Sequence, residues 1–307
     1  MINRNLIRIR VVQAVYAWYQ NTTKDLLIAE KELMHSMQKS YDLYYYLLLL
    51  LVQINKTYED RVELKRSKLL PTQEDLNPNT RLIDNKFIQQ LASNVQFKKY
   101  LAERPMLWDN NEPFVKKILD SILASDIYKE YAESHESSYE SDKEFWRKVF
   151  KQFIYVNEEL DDLLEDECIY WNDDIEVVQS FVLKTIKRFT EEAGDKQPLL
   201  PMFKDNEDRL YAIKLFHETI VKEEEFRTLI EQNVDKWEFD RISFMDVVIM
   251  QTALAEIVAF KSIPISVSLN EYIEIAKSYS TPKSGLFING ILDAIVAKLK
   301  AENRITK

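Results

Sequence analysis

A chain of 307 residues with 46% hydrophobic content is long enough for one large or two ordinary domains and holds ample apolar material for a core. Its three glycines, Gly194, Gly285 and Gly290, form neither a G-x-G nor a G-x-x-x-x-G-K pattern, which excludes the phosphate-cradling loops of Rossmann and P-loop folds. With 41 basic against 51 acidic residues the net charge is −10, so a nucleic-acid site would have to arise from uneven charge distribution rather than from the sum.

Few glycines, many Leu, Glu, Lys and Ala, and apolar residues recurring every three and four positions predict an all-α protein built of helical bundles. In the first helix Ile7, Val11, Ala14, Val15 and Trp18 fall on one core-facing stripe. Arg4 and Arg8 lie one turn apart on another face, and Arg10 points a third way, so the guanidinium groups are expected to fan out around the helix start. A long helix is predicted over 26–67, with Tyr41, Tyr44, Tyr45 and Tyr46 as core rather than ligand box. Its densest apolar run, 43–52, falls short of the ~20 residues that span a bilayer. Pro71, Asn77, Pro78 and Asn79 mark 68–84 as a loop. Helices follow over 86–103 and 112–133, then a polar stretch at 134–141 that reads as a linker or a helix start.

The break at Gly194, Pro198 and Pro201 is the expected domain boundary, separating a helical N-terminal region, 1–205, from a C-terminal domain, 206–307. Across it the chain repeats itself. Phe150 and Phe216 are 66 positions apart (216 − 150), and the same offset relates Asp142 to Asp208, Ile154 to Ile220, Leu163 to Leu229 and Trp171 to Trp237. This predicts that 142–190 is an imperfect copy of the helical hairpin at 208–256. The C-terminal helices are expected at 208–236, 241–260, 268–279 and 284–301, the third started by a capping box of Ser268 and Glu271.

Little in the chain supports catalysis. Cys168 sits among acids that disfavour a thiolate and reads as structural, and one cysteine fits a reducing compartment. His35, His135 and His217 lack metal-ligand spacing, so neither metal nor cofactor is expected. The acids of 158–167 alternate with Leu160, Leu163 and Leu164 as the solvated face of an amphipathic helix. No signal peptide is visible, and the expectation is a soluble, cytoplasmic protein with no membrane partner. Charge is distributed unevenly: Arg4, Arg8, Arg10 and Lys24 all precede the first acid, Asp25, and Lys298, Lys300, Arg304 and Lys307 crowd the other end.

Four segments, in this order, carry a family resemblance: Arg8-Ile-Arg-Val-Val-Gln-Ala-Val-Tyr-Ala-Trp18, Asp246-Val-Val-Ile-Met-Gln-Thr-Ala-Leu-Ala-Glu-Ile257, Ser268-Leu-Asn-Glu-Tyr-Ile-Glu-Ile-Ala-Lys-Ser-Tyr-Ser280 and Phe287-Ile-Asn-Gly-Ile-Leu-Asp293. Together they resemble the NusB family of transcription antitermination factors, with 21–205 largely without counterpart in a compact member. The resemblance implies a NusB-like C-terminal domain and a non-catalytic RNA-binding adaptor for ribosomal RNA synthesis. Such an adaptor pairs with the NusE ribosomal protein on boxA-like single-stranded RNA and meets the RNA polymerase elongation complex indirectly.

It also implies that the two basic ends meet in one patch. Arg4, Arg8 and Arg10 would neutralise phosphates, Tyr16 and Phe287 would stack on bases, Gln13 and Asn289 would read base edges, and Lys283 would belong to the contacting loop. Partner contacts would fall on Tyr16, Asp246 and Phe287. The chain departs from the family pattern at Leu286, where a lysine is common, and at Lys283, where an acid often sits. Two other roles compete: a helical protein scaffold working through 21–205, and an accessory RNA-binding domain acting with an RNA methyltransferase.

Overall fold

The structure, a computed structural model, describes residues 1–155, 157–234 and 242–305. As the sequence predicts, the fold is all-α, and among the described residues the one β-pairing is an isolated parallel bridge between Ile2 and Phe203. The chain divides into two compact units. Unit 1 comprises Met1 and Lys39–Met202, and unit 2 comprises Ile2–Gln38 and Phe203–Lys307. The boundary near 202 lies close to the expected one, but the first helix joins the C-terminal segment instead of the region that follows it.

Unit 2 contains α1 (Arg4–Gln20), the start of α2 (Leu26–Arg66), α11 (Asn206–Val221), α12 (Glu223–Glu231), α13 (Phe244–Ala259), α14 (Ile265–Tyr279) and α15 (Ser284–Ala301). Local chemistry sets the ends. Asn3 caps α1 by accepting from Leu6 N–H at 2.9 Å, and Asp205 caps α11 by accepting from Glu207 and Asp208. α13 is buried along nearly its whole length, and α1, α11, α12, α14 and α15 pack around it. Of the predicted α1 stripe, Ile7, Val11 and Val15 are buried, whereas Ala14 and Trp18 are half-buried and line a groove with Ile28 and Ala29.

One predicted start is wrong. α14 begins at Ile265, directly after Pro264, and Ser268 does not cap it. Proline supplies the extended residue before the helix and lacks an N–H to satisfy, which frees Ser268 to point into the core.

Unit 1 contains the rest of α2, then α3 (Gln73–Leu76), α4 (Lys86–Ser93), α5 (Val95–Glu103), α6 (Glu112–Ala124), α7 (Asp126–Glu133), α8 (Tyr139–Val149), α9 (Glu158–Glu167) and α10 (Ile175–Arg188). The helices expected over 86–103 and 112–133 each break in two. Asn94 and Ser125 leave the helical region and cap the next helix, as their short polar side chains favour. The tyrosine block is core: Tyr46 stacks on Trp108 at 4.2 Å, Tyr45 on Tyr100 at 3.6 Å, and the Tyr44 hydroxyl meets Thr185 Oγ1 at 2.6 Å.

The internal repeat extends to helix order. α8 with the π-helical turn Phe150–Ile154, then α9 and α10, follow one another as α11, α12 and α13 do 66 residues later. Burial agrees at that offset. Trp146 and Ala212, Val149 and Leu215, Phe150 and Phe216, Leu160 and Phe226, Leu164 and Ile230, and Val182 and Val248 are all fully buried. Trp171 is buried, and its expected counterpart Trp237 lies outside the described residues.

Each hairpin also packs against a helix from earlier in the chain, outside the 66-residue spacing. Asn85, Lys86 and Gln90 at the start of α4 follow the spacing of Asn3, Arg4 and Arg8 at the start of α1, and α4 packs on α8 as α1 packs on α11. After α10, unit 1 closes with a 3-10 segment, Glu191–Lys196, where unit 2 continues into α14 and α15.

Candidate nucleic-acid interface

Arg8 does not fan outward. It is 4% exposed, and its Nε and Nη2 donate to the two carboxylate oxygens of Glu256 at 2.8 and 3.0 Å. Its Nη1 faces Glu271 at 3.3 Å. Glu256 is fully buried in α13 and also accepts from Ser268 Oγ at 2.6 Å, from the Tyr272 hydroxyl at 3.2 Å and from the Tyr211 hydroxyl. The network therefore ties α1, α11, α13 and α14 together.

Burial alone would push the Glu256 carboxyl up, but the Arg8 guanidinium and the hydroxyl donors outweigh it and hold the group below its ordinary value. Burial likewise opposes charge on Arg8, and its bonds to Glu256 raise it further above the arginine range. The phenols of Tyr211 and Tyr272 are raised, first by burial and then by the Glu256 charge, so they remain donors. The expected phosphate contact by Arg8 is thus corrected: its donors point inward, and its task is to hold α1 on the bundle.

The other expected RNA contacts divide. Arg4 keeps 41% of its side chain exposed, with Nε bonded to Asp208 at 3.2 Å and its guanidinium 5.0 Å over the Tyr211 ring. Arg10 is 4% exposed and donates to Gln13 Oε1 at 2.9 Å, so it too is no open cation. Gln13 and Asn289 are half-buried, and Lys283 is exposed in the turn before α15. The C-terminal cations engage α12: Lys298 donates to Gln232 at 2.8 Å, and Arg304 pairs with Glu225 and Glu302. Neutralised this way, Arg304 does not add to a patch on α1, and Lys307 lies outside the described residues.

The expected partner residues come into one neighbourhood around the start of α13. Tyr16 is exposed and its ring lies 5.4 Å from that of Phe244, which is 41% exposed and also meets Tyr19 edge-on at 5.9 Å. Asp246, two residues further on, is buried and not a surface contact. Its Oδ2 accepts from Ser284 Oγ at 2.9 Å, fixing the turn that leads into α15. That turn is laced by hydroxyls, with Ser280 on Ser243 and Thr281 on Ser284. It presents Leu286, 85% exposed, and the half-buried Phe287.

Sequence reasoning missed Phe244, Glu256, Tyr211 and Tyr272. Glu256 left a readable signal: it and Asp246 are the only charges in the 16 residues of α13, and a carboxylate in so apolar a helix requires a buried partner. Among the described residues no three His, Cys, Asp or Glu side chains group to hold a metal, and no helix is long and apolar enough to cross a membrane.

A family model described as the NusB family matches residues 174–297, which takes in α10 and runs through most of α15. Among curated proteins, the chain is 39% identical over 132 residues to the transcription antitermination protein NusB of Salinibacter ruber, covering 41% of this chain and 82% of that protein. It is 30% identical over 158 residues to the protein of that name from Thermodesulfovibrio yellowstonii, covering 52% and 93%. With the Koribacter versatilis protein of the same name it shares 39% identity over 100 residues, covering 33% and 68%. No solved structure gives a significant match. On these similarities, and with α1 packed on the C-terminal helices in one unit, the chain belongs to the NusB family.

Proposed function

We infer that the chain is a transcription antitermination factor: a non-catalytic, cytoplasmic adaptor that binds boxA-like single-stranded RNA and pairs with the NusE ribosomal protein. The observation carrying this reading is the join of α1 to the family-matched helices through Arg8 and Glu256, which presents Arg4 at an exposed helix start. A guanidinium held by Asp208 through Nε alone retains its terminal amino groups for a phosphate. Gln13, Asn289 and Lys283 are the further RNA contacts in this reading. Tyr16 and Phe287, joined by Phe244, are the partner anchors, with Asp246 holding the turn that carries Phe287. Unit 2 is the NusB-like body, and unit 1 is an appended helical unit.

The test is a titration of boxA-like and scrambled RNA with the full chain, with and without NusE. Tighter binding to the boxA-like RNA, strengthened by NusE, supports the reading. Equal weak binding to both RNAs, unchanged by NusE, contradicts it.

A further inference from the structure

Where α13 ends, unit 2 carries a row of alternating cations and rings beyond the residues considered above. From Arg4, whose guanidinium carbon is 5.0 Å from the Tyr211 ring centre, the row passes to Phe260, whose ring meets Tyr211 at 4.9 Å and 65°. Lys214 follows, with Nζ 5.0 Å from the Phe260 centre and bonded to the Ala259 carbonyl at 3.3 Å. Lys261, next in the chain after Phe260, is exposed, as is Lys214, while Phe260 is half-buried. Two cations, from α1 and α11, are thus held beside two rings, and the exposed Lys261 follows in the α13–α14 connection.

Four other cations of unit 2 are answered by acids: Lys222 by Glu218, Arg227 by Glu231, Lys277 by Glu274 and Arg304 by Glu225. Lys214 instead bonds a carbonyl, which orients its ammonium without cancelling its charge. On a chain of net charge −10, this combination of two exposed lysines, an Arg4 held by Asp208 through Nε alone and a half-buried ring matches the chemistry of a single-stranded nucleic acid, whose phosphates need cations and whose bases stack on aromatic faces.

We propose that Arg4, Lys214, Lys261 and Phe260 form a second segment of the RNA site, running from the start of α1 to the end of α13. Arg4 and the two lysines contact successive phosphates, and a base stacks on Phe260. The proposal rests on the RNA-binding reading above and extends its track. The competing role for Lys214 is to cap the C-terminal carbonyls of α13.

The test uses the full chain, a labelled boxA-like single-stranded RNA and a scrambled RNA of the same composition, titrated over a range of salt. In the double variant Lys214→Gln with Lys261→Gln, the glutamine keeps a donor for the Ala259 carbonyl while both charges go. The expected result is a loss of about tenfold in affinity for both RNAs alike, with the salt slope lowered by about 1.4, at about 0.7 per lost phosphate contact. Phe260→Leu should weaken binding by about fivefold or more with the slope unchanged. If the double variant keeps wild-type affinity and slope while Arg4→Ala weakens binding, the row is overturned and the RNA reading stands. A loss of affinity accompanied by a lower melting temperature and an unchanged slope also overturns it, leaving Lys214 as a helix cap. Wild-type protein that binds neither RNA overturns both.

Discussion

Arg8 in unit 2 and Gln90 in unit 1 stand at the same place on the helix that packs against a repeated hairpin, yet one bonds a carboxylate and the other bonds carbonyls. Gln90 Nε2 donates to the carbonyls of Thr190 at 2.9 Å and Gly194 at 2.7 Å, and Thr190 precedes Glu256 by the repeat offset. Unit 1 stops at a short 3-10 segment where unit 2 adds α14, and α14 supplies Ser268 and Tyr272 to Glu256. A buried carboxylate is tolerable only where enough donors converge on it. Unit 2 has the extra helix to provide them, and unit 1, lacking it, makes the joint with a neutral amide. The charged joint fixes α1 more stringently, which suits the unit whose α1 is read as facing RNA.

The largest expected effects break the charged joint. Arg8→Met leaves Glu256 buried without its cation and should cost about 3–5 kcal/mol in denaturant unfolding. Arg8→Met combined with Glu256→Leu removes both charges and should recover most of that loss. A double variant as unstable as the single would show that Arg8 matters for something other than its carboxylate. Phe150→Ala and Phe216→Ala should each cost about 3–5 kcal/mol. Losses within about 1 kcal/mol of each other would sharpen the repeat, and a large disparity would break it. Gln90→Ala should cost less, about 1–3 kcal/mol, since the groups left behind are neutral carbonyls.

The comparison has a pH signature. The folded-state pKa of Glu256 is depressed, so its contribution is complete above the ordinary carboxylate value of about 4.3 and is lost as pH falls through the depressed value. In Arg8→Met, burial dominates and raises that carboxyl above its unfolded value, so the sign reverses: protonation favours the folded state, and lowering the pH should recover part of the lost stability where wild type loses it. Unfolding followed from about pH 7 down to about pH 3 checks this, and superimposable profiles would contradict it. The smallest expected stability change is at Phe287, half-buried in the first turn of α15. Phe287→Ala should lower NusE affinity by about 2 kcal/mol with little change in melting temperature. A loss of binding explained wholly by unfolding would make it a core residue.

Helix content, the extents of α2 and α15 and the 66-residue spacing were legible in the sequence because periodicity and burial follow local pattern. The breaks at Asn94 and Ser125 were not, since an Asn or Ser inside an apolar period reads as a tolerated polar residue until its side chain is seen capping the next helix. The site was legible in part. An arginine on a helix start looks the same whether its partner is a phosphate or a glutamate 248 residues away, so Arg4 and Arg8 could not be told apart. Asp246 read as a surface contact for the same reason, although Ser284 claims it from within. The join of α1 to the C-terminal helices across Lys39–Met202 was implied by the family resemblance and left no mark in composition.

The most direct test is the salt dependence of RNA affinity in two variants, Arg4→Ala and the charge-free pair Arg8→Met with Glu256→Leu. Arg4→Ala should lower the slope of log affinity against log salt by about 0.7, one phosphate contact. The charge-free pair should keep the wild-type slope, because Arg8 holds α1 and touches no phosphate. A slope lowered by the same amount in the folded Arg8 and Glu256 double variant, with Arg4→Ala unchanged from wild type, would contradict the account.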